Sequence, residues 1–248
     1  MKISIITATY NSAETILDTI KSLESQSYEN IEYIIVDGNS SDNTIDLIKQ
    51  NCSKVSTFII EKDKGIYDAL NKGLNAATGD IVGFLHSDDV FATSYSVANL
   101  VSAFEEKSDA IYADLEYVAK TDLNKIVRLW KSGVFNLSKI KNGWMPPHPT
   151  FYMKTALYKE FGFFNLEYKI AADYDSLLRY LWVNKIAVSY LPEVLIKMRV
   201  GGASNRSLKN IYHKSLEDIK ALKSSGVPIF KAFIIKNLSK LPQFIFKK

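Results

Sequence analysis

Through roughly the first 105 residues, short apolar runs alternate with stretches of helical periodicity, and this alternation constrains the chain more than any other feature. Ile3-Ser4-Ile5-Ile6, Ile31 to Val36, Val55 to Ile60 and Asp80 to Leu85 read as strands. Between them, Ile16, Leu17, Ile20 and Leu23 recur at helical spacing behind Ser12 as N-cap. Ile45, Leu47 and Ile48 follow a cap at Ser41 or Asp42, and Ile66 to Ala76 forms a third helical stretch. Val97, Leu100, Val101 and Phe104 mark a fourth. Strands and helices in strict alternation imply right-handed crossovers and a mainly parallel sheet covered on both faces. Ligands of such sheets sit at the carboxyl ends of the strands. The informative segments are therefore Thr9-Tyr10-Asn11, Asp37-Gly38-Asn39-Ser40, Glu61 to Gly65 and His86-Ser87-Asp88-Asp89.

The second half is less regular. Ala110 to Val118 and Ile126 to Trp130 read as strands of a hairpin turning at Lys120-Thr121-Asp122. Met145-Pro146-Pro147-His148-Pro149 is expected to be non-helical, since three prolines remove backbone donors. Asp173 to Asn184 is amphipathic. No linker or repeat interrupts the chain, so one α/β domain over residues 1–204 is expected, with a nucleotide-binding half at 1–106 and an acceptor-binding half at 107–204, followed by a C-terminal appendage at 205–248. With 47% apolar residues and a single cysteine, Cys52, the domain must be held by its core, without an internal disulfide, as suits a reducing compartment. Neither a span of about 20 apolar residues nor a secretory leader is evident, and the chain reads as cytoplasmic.

The net charge of +4 conceals an asymmetry. Residues 199–248 hold 11 Lys and Arg against two acids, whereas residues 1–198 hold 20 against 25. Phe230, Phe233, Ile234, Leu238 and Leu241 share one helical face, with Lys231, Lys236 and Lys240 off it and Pro242 ending the helix. This pattern suits either an interfacial helix on anionic lipid or a helix docked on the domain itself. Nucleic acid is disfavoured, because the body is acidic and the basic residues accompany a greasy face.

Asp37, Asp63, Asp88 and Asp89 converge on one sheet edge, where carboxylates repel unless a cation or a donor-rich ligand sits among them. Each could instead cap its own turn or helix. A P-loop and a GxGxxG fingerprint are both missing after the first strand. Ile5 to Asn11, Ile34 to Thr44 and Gly79 to Asp89, in this order and spacing, resemble the family 2 glycosyltransferases of GT-A fold over about residues 1–200. Asp63 to Gly73, Pro147 to Phe151 and Tyr168 to Asp175 resemble the bacterial surface-polysaccharide branch.

The resemblance implies roles residue by residue. Thr7, Ala8, Thr9, Tyr10 and Asn11 belong to the nucleotide-sugar site, the first four as the wall of the uracil and ribose pocket. Asp37 would accept a hydrogen bond from uracil, and Asp63, Lys64 and Gly65 would close the pocket. His86-Ser87-Asp88 takes the place of a DxD motif, with Asp88 as ligand of Mn²⁺ or Mg²⁺ and Asp89 supporting it. His86 replaces the first acid, its role open between ribose, donor sugar, metal and a packed place in the protein. Asp173 falls at the catalytic base, a place that also suits an N-cap, and Arg199 falls near the diphosphate unless it forms a surface salt bridge, while Asp175 caps the helix or pairs with Arg179. Trp144, His148 and Phe151 are candidates for an acceptor wall. The chemistry implied is inverting transfer of a hexose, galactose or glucose in β-1,3 linkage to GlcNAc, from a UDP-sugar to a lipid-diphosphate-linked saccharide at the inner membrane face, in O-antigen or capsule assembly. A sugar-phosphate nucleotidyltransferase and a non-catalytic membrane scaffold are the competing readings.

Overall fold

The computed structural model describes residues 1–201 and 208–238. The expected domain boundary at 204/205, Leu241 and Pro242 lie outside them. Four strands come from the alternating half: β1 (Ile3–Thr9), β2 (Ile31–Asp37), β3 (Val55–Ile60) and β4 (Ile81–Phe84). They pair in the order β3-β2-β1-β4, all parallel, with Ile3 level with Ile31 and Ile81. The connecting helices are α1 (Ile16–Glu24), α2 (Thr44–Asn51) and α3 (Ile66–Ala76). The later elements are β5 (Val90–Phe91), α4 (Ser96–Ala103), β6 (Ala110–Ala119), β7 (Asp122–Trp130), α5 (Leu137–Ile140), β8 (Tyr152–Lys154), α6 (Thr155–Phe161), α7 (Ala172–Leu178), β9 (Val188–Arg199), α8 (Leu208–Ser225) and α9 (Ile229–Leu238).

Among the described residues the strands form one nine-stranded sheet, β3-β2-β1-β4-β8-β6-β9-β5, with β7 hairpinned onto β6. The parallel character stops at β4. β8 is antiparallel to both β4 and β6, β9 runs parallel to β6, and β5 runs antiparallel to β9. The sheet is thus parallel only in its nucleotide half and mixed beyond it. Without a helical crossover between β6 and β7, the chain can only reverse.

Side chains alternate across the sheet and separate two cores. Ile3 and Ile5 of β1 and Tyr33 and Ile35 of β2 meet Ile16, Ile20 and Leu23 of α1, Ile48 of α2 and Leu100 of α4. Ile6, Ala8, Ile34, Val36 and Phe84 face the other way, onto Leu70 and Leu74 of α3, Leu177 of α7, Leu222 of α8 and Ala232 of α9. The C-terminal helices are therefore part of the second core.

Helix starts differ locally from expectation. The N-cap of α1 is Thr15 and not Ser12, whose carbonyl instead accepts the Thr15 and Ile16 N–H groups. α2 is capped at Asn43, although Asp42 Oδ1 accepts the Thr44 N–H at 3.0 Å. The proline-rich stretch does contain one 3₁₀ turn, His148–Thr150, with Pro149 near its start, where no backbone donor is needed. α7 is α-helical only to Leu178 and continues as a π-turn over Arg179–Val183.

Candidate active site

The loops after β1 and β2 are locked together at the carboxyl edge. Asn11 and Asn39 both take positive φ, and Asn tolerates this better than other side chains. Asn11 Oδ1 accepts the Ser41 N–H at 2.9 Å, and its own N–H donates to Ser40 Oγ. Asn11 is thus spent on loop geometry.

Asp37 is fully enclosed, and both its oxygens are held at 2.7 Å by Ser40, one by the backbone N–H and one by the hydroxyl. The structure gives it the turn role, in place of the expected contact with a base. Beside it, a Cβ on Gly38 would stand 2.5 Å from Asp63 Oδ2 and 3.2 Å from the Tyr10 ring. The ends of β1, β2 and β3 therefore meet at one point, with an open acceptor edge at Asp63 and the Tyr10 ring 62% exposed beside it. Asp63 is oriented by the Gly65 N–H at 2.8 Å, and Gly65, at φ 117°, opens α3 next to Lys64. Thr7 departs from its expected place. It is buried under the sheet edge, donating to the Leu85 carbonyl at 2.6 Å and receiving the Tyr33 hydroxyl, so it cannot wall a pocket. Ala8 and Thr9 are nearly closed off as well.

The His86–Asp89 loop is fixed by three successive carbonyls. Ser87 O accepts from Thr15 Oγ1, Asp88 O from Arg199 Nη1 at 2.7 Å, and Asp89 O from Thr19 Oγ1. Ser87 Oγ meets Ser12 Oγ at 2.9 Å. Arg199 is buried, with Nη2 on Asp18 and Nε on the Lys120 carbonyl. Expected beside a diphosphate, it instead braces the loop from beneath.

Asp89 is 1% exposed, with neither oxygen hydrogen-bonded. Burial pushes its carboxyl well above the usual carboxylate range, and the charge of Asp88 adds to this while Arg199 opposes it. Its oxygens lie inside the protein, which corrects the expectation of a supporting metal ligand. Asp88, part-exposed at the loop tip, is the carboxylate of the pair that a metal can reach.

Across the cleft lies α7. Asp173 Oδ1 accepts the Tyr174 N–H at 2.8 Å and lies 3.2 Å from the Tyr67 hydroxyl, whose single proton is shared with the Ile170 carbonyl at 2.7 Å. Among the described residues, both bonds to this carboxylate fall on Oδ1, leaving Oδ2 to receive a proton. Asp175 bonds Arg179 at 3.2 Å, as its spacing predicts. Two histidines stack beside Asp88 and Asp173. His148 stacks on Phe84 at 5.1 Å and on His86 at 6.1 Å. Burial lowers both imidazoles, His148 to about 4, so both are neutral near pH 7. The charges of Asp88 and Asp173 both reach His86, so the two acids lie near one histidine stack.

The expected acceptor wall is largely enclosed, His148 being buried. Phe151 is core, 1% exposed, and Trp144 is tied to the Ser132 carbonyl against Tyr112 and Phe135. A cavity of about 470 Å³ opens instead between the start of α3 and the 166–169 loop, lined by Lys64, Tyr67, Leu166, Tyr168 and Lys169. Tyr67 and Tyr168 lie inside motifs that mark the family branch, but nothing in the sequence gives either a role of its own.

Among the described residues, His, Cys, Asp and Glu form no group of three able to hold a metal. Mg²⁺ and similar ions need only one or two carboxylates when phosphate oxygens complete their shell, so the part-exposed Asp88 at the loop tip fits such an ion.

A parallel nucleotide half with its pocket at the strand ends, facing an acid on a later helix, is the architecture of the GT-A glycosyltransferases. S. aureus TarS 1–349, solved with UDP-GlcNAc, aligns at TM-score 0.70 and 21% identity, covering 99% of this chain and 79% of that one. The chain spans 47% of full-length TarS. The mannosyltransferase PcManGT from Pyrobaculum calidifontis, solved with GDP-Man and Mn²⁺, aligns at TM-score 0.69 and 17% identity, over 98% and 70% of the two chains. The chain belongs to glycosyl transferase family 2, matched over residues 4–164, and is a glycosyltransferase. It is 31% identical over 179 residues to an uncharacterized glycosyltransferase of Mycobacterium tuberculosis, covering 71% of this chain and 68% of that one. It is 30% identical over 235 residues to the UDP-Glc:alpha-D-GlcNAc-diphosphoundecaprenol beta-1,3-glucosyltransferase WfaP of Escherichia coli, covering 91% and 87%.

Proposed function

We propose that this enzyme transfers a hexose, with inversion, from a UDP-sugar to a saccharide carried on a lipid diphosphate, in bacterial surface-polysaccharide assembly at the inner face of the cytoplasmic membrane. The observation that carries this reading is that Asp88 and Asp173 both lie close enough to act on His86 of the His86–His148 stack, with the Tyr10–Gly38–Asp63 pocket on the same sheet edge. The likeness to WfaP supports glucose, and a β-1,3 bond to GlcNAc, as the first combination to test. Galactose is the second.

In this reading Tyr10 and Asp63 line the base and ribose pocket, and Lys64 meets the donor phosphates at the start of α3, where backbone N–H groups favour anions. Mn²⁺ or Mg²⁺ held by Asp88 would supply neutralisation of the charge that grows on the departing diphosphate. Asp173 takes the proton of the acceptor hydroxyl on Oδ2 while Oδ1 stays anchored by the Tyr174 N–H. Such a base is worth roughly 10²–10⁴-fold. The neutral histidines form a dry floor that strengthens these electrostatic contacts. One displacement with one base requires no second carboxylate nucleophile. The acceptor approaches over the cavity beside Tyr67 and Tyr168.

A panel of UDP-hexoses and their N-acetyl forms, offered with a synthetic GlcNAc-diphospho-lipid and Mn²⁺, tests the proposal, with products identified by mass and NMR. A β-linked disaccharide lipid is expected. Retention at the anomeric carbon, or failure of every UDP-sugar where a GDP-sugar reacts, would refute it. Asp173→Asn should lower kcat by about 10²–10⁴-fold and leave UDP affinity by calorimetry within about twofold.

A further inference from the structure

The segment bearing Asp173 is held by the C-terminal helices, which the sequence presents as an appendage. α7 is seven residues long, and its N-cap residue, Ala171, has no side chain able to cap. The chain leading into the helix is instead held from outside, by Glu217 of α8, which accepts from the three backbone N–H groups just before α7. Its carboxylate takes the Lys169 N–H at 3.0 Å on one oxygen and the Ile170 and Ala171 N–H groups at 2.8 Å each on the other.

The next residue, Asp218, works on the other side of the base. Its Oδ1 bonds Lys236 Nζ of α9 at 2.9 Å, and both side chains are 5% exposed. Lys236 Nζ stands 3.0 Å from the ring centroid of Tyr174, the residue that follows Asp173. Lys236 is itself seated by the 142–144 turn, where a Cβ on Gly143 would fall 2.3 Å from the Ala232 carbonyl and 2.6 Å from Lys236 Cβ. Adjacent residues of one helix thus grip the backbone before Asp173 and, through a buried lysine, the ring after it.

We infer that Glu217 and Lys236 are positioning residues for the catalytic base: α8 and α9 form a clamp that fixes where the Asp173 carboxylate stands, so that transfer depends on their docking. This deepens the proposed mechanism and rests on Asp173 as the base. A base must be held within about 0.5 Å of its productive place, and a misplacement near 1 Å costs on the order of 10²-fold. A helix start whose N-cap residue offers no capping side chain does not by itself guarantee that precision.

The test uses the full chain with Glu217→Ala, Glu217→Gln and Lys236→Met. With UDP-glucose and the GlcNAc-diphospho-lipid, Glu217→Ala should lower kcat by roughly 10–10²-fold with the donor KM within about twofold, and Glu217→Gln, which keeps one acceptor, should recover most of it. In an Asp173→Asn background Glu217→Ala should cost nothing further, because both act on one group. An equal loss in both backgrounds would overturn the inference. Hydrogen exchange needs no substrate: amides of 169–171 should exchange roughly tenfold faster in Glu217→Ala, and those of 172–175 in Lys236→Met, while β1 and β4 stay unchanged. Unaltered exchange there would refute the clamp. Wild-type turnover by Asp173→Asn alone would refute the base while leaving the exchange result to decide the clamp.

Discussion

At the scale of single residues, the site works through contacts that exclude alternatives. Gly38 is the clearest. Any side chain there must displace the Asp63 carboxylate, whose Oδ2 lies 2.5 Å from the position of a Cβ. Gly38→Ala should raise the donor KM by roughly tenfold with kcat little changed, since in the proposed reading Asp63 binds the donor equally before and during transfer. An unchanged KM would mean that Asp63 moves without consequence. Asp37 teaches the converse. Its position after β2 suggests a ligand contact, yet a Ser three residues on consumes both oxygens. The sequence presents both readings, and only the distances separate them.

Among elements, the His86–Asp89 loop is positioned by α1 and β9, which reach it from distant parts of the chain. Arg199 at the end of β9 holds the Asp88 carbonyl, and its partner Asp18 is part-exposed. Arg199→Met should weaken Mn²⁺-dependent UDP affinity by roughly tenfold, one hydrogen bond to a charged group, with metal-free affinity less affected, as calorimetry would show. At the opposite edge of the sheet, Glu32 of β2 binds Lys2 Nζ and Ser4 Oγ at 2.6 Å and the Thr78 N–H at 2.7 Å. Burial alone would raise its pKa, but these bonds outweigh it and bring the carboxyl down to about 2. A carboxyl lower in the folded state than its ordinary 4.5 stabilises the fold above pH 4.5, and that contribution is lost as the pH falls toward 2. The melting temperature of the wild type should therefore drop between those limits more steeply than that of Glu32→Gln, and parallel curves would exclude Glu32. Nothing in the sequence singles out Glu32, because its partners lie on two other segments, at residues 2–4 and at Thr78.

For the whole molecule, α9 takes the second of the two expected places, docked on the domain, although Phe233 is the part of the expected face that packs there. α9 docks on the domain through Ala232 and through Lys236, which the helical pattern assigned to a solvated face. Phe230 is 81% exposed, and Ile229 and Ile234 are exposed with it. No helix among the described residues is long and apolar enough to cross a membrane. This outward apolar face is the part of the molecule suited to a bilayer surface. Phe230→Glu with Ile234→Glu should reduce co-sedimentation with phosphatidylglycerol vesicles several-fold with the melting temperature unchanged, because neither side chain supports the core. Equal co-sedimentation would place membrane contact elsewhere. Removing the helix outright is a poorer test, since it also removes the clamp on Asp173.

Periodicity alone determined the nucleotide half. β1 to β4 and α1 to α3 lie where alternating apolar patterns put them, because each strand and helix must bury its own apolar face whatever else the chain does. The order of acid-bearing motifs was enough to mark the family. Tertiary structure alone decided which acids stay open, Asp88 and Asp63, and which are enclosed, Asp37 and Asp89, and it decided that Glu217 and Lys236 stand around Asp173. Hydrogen-bond partners more than 40 residues apart leave no local periodicity, and burial of a polar group depends on what packs over it from elsewhere in the chain.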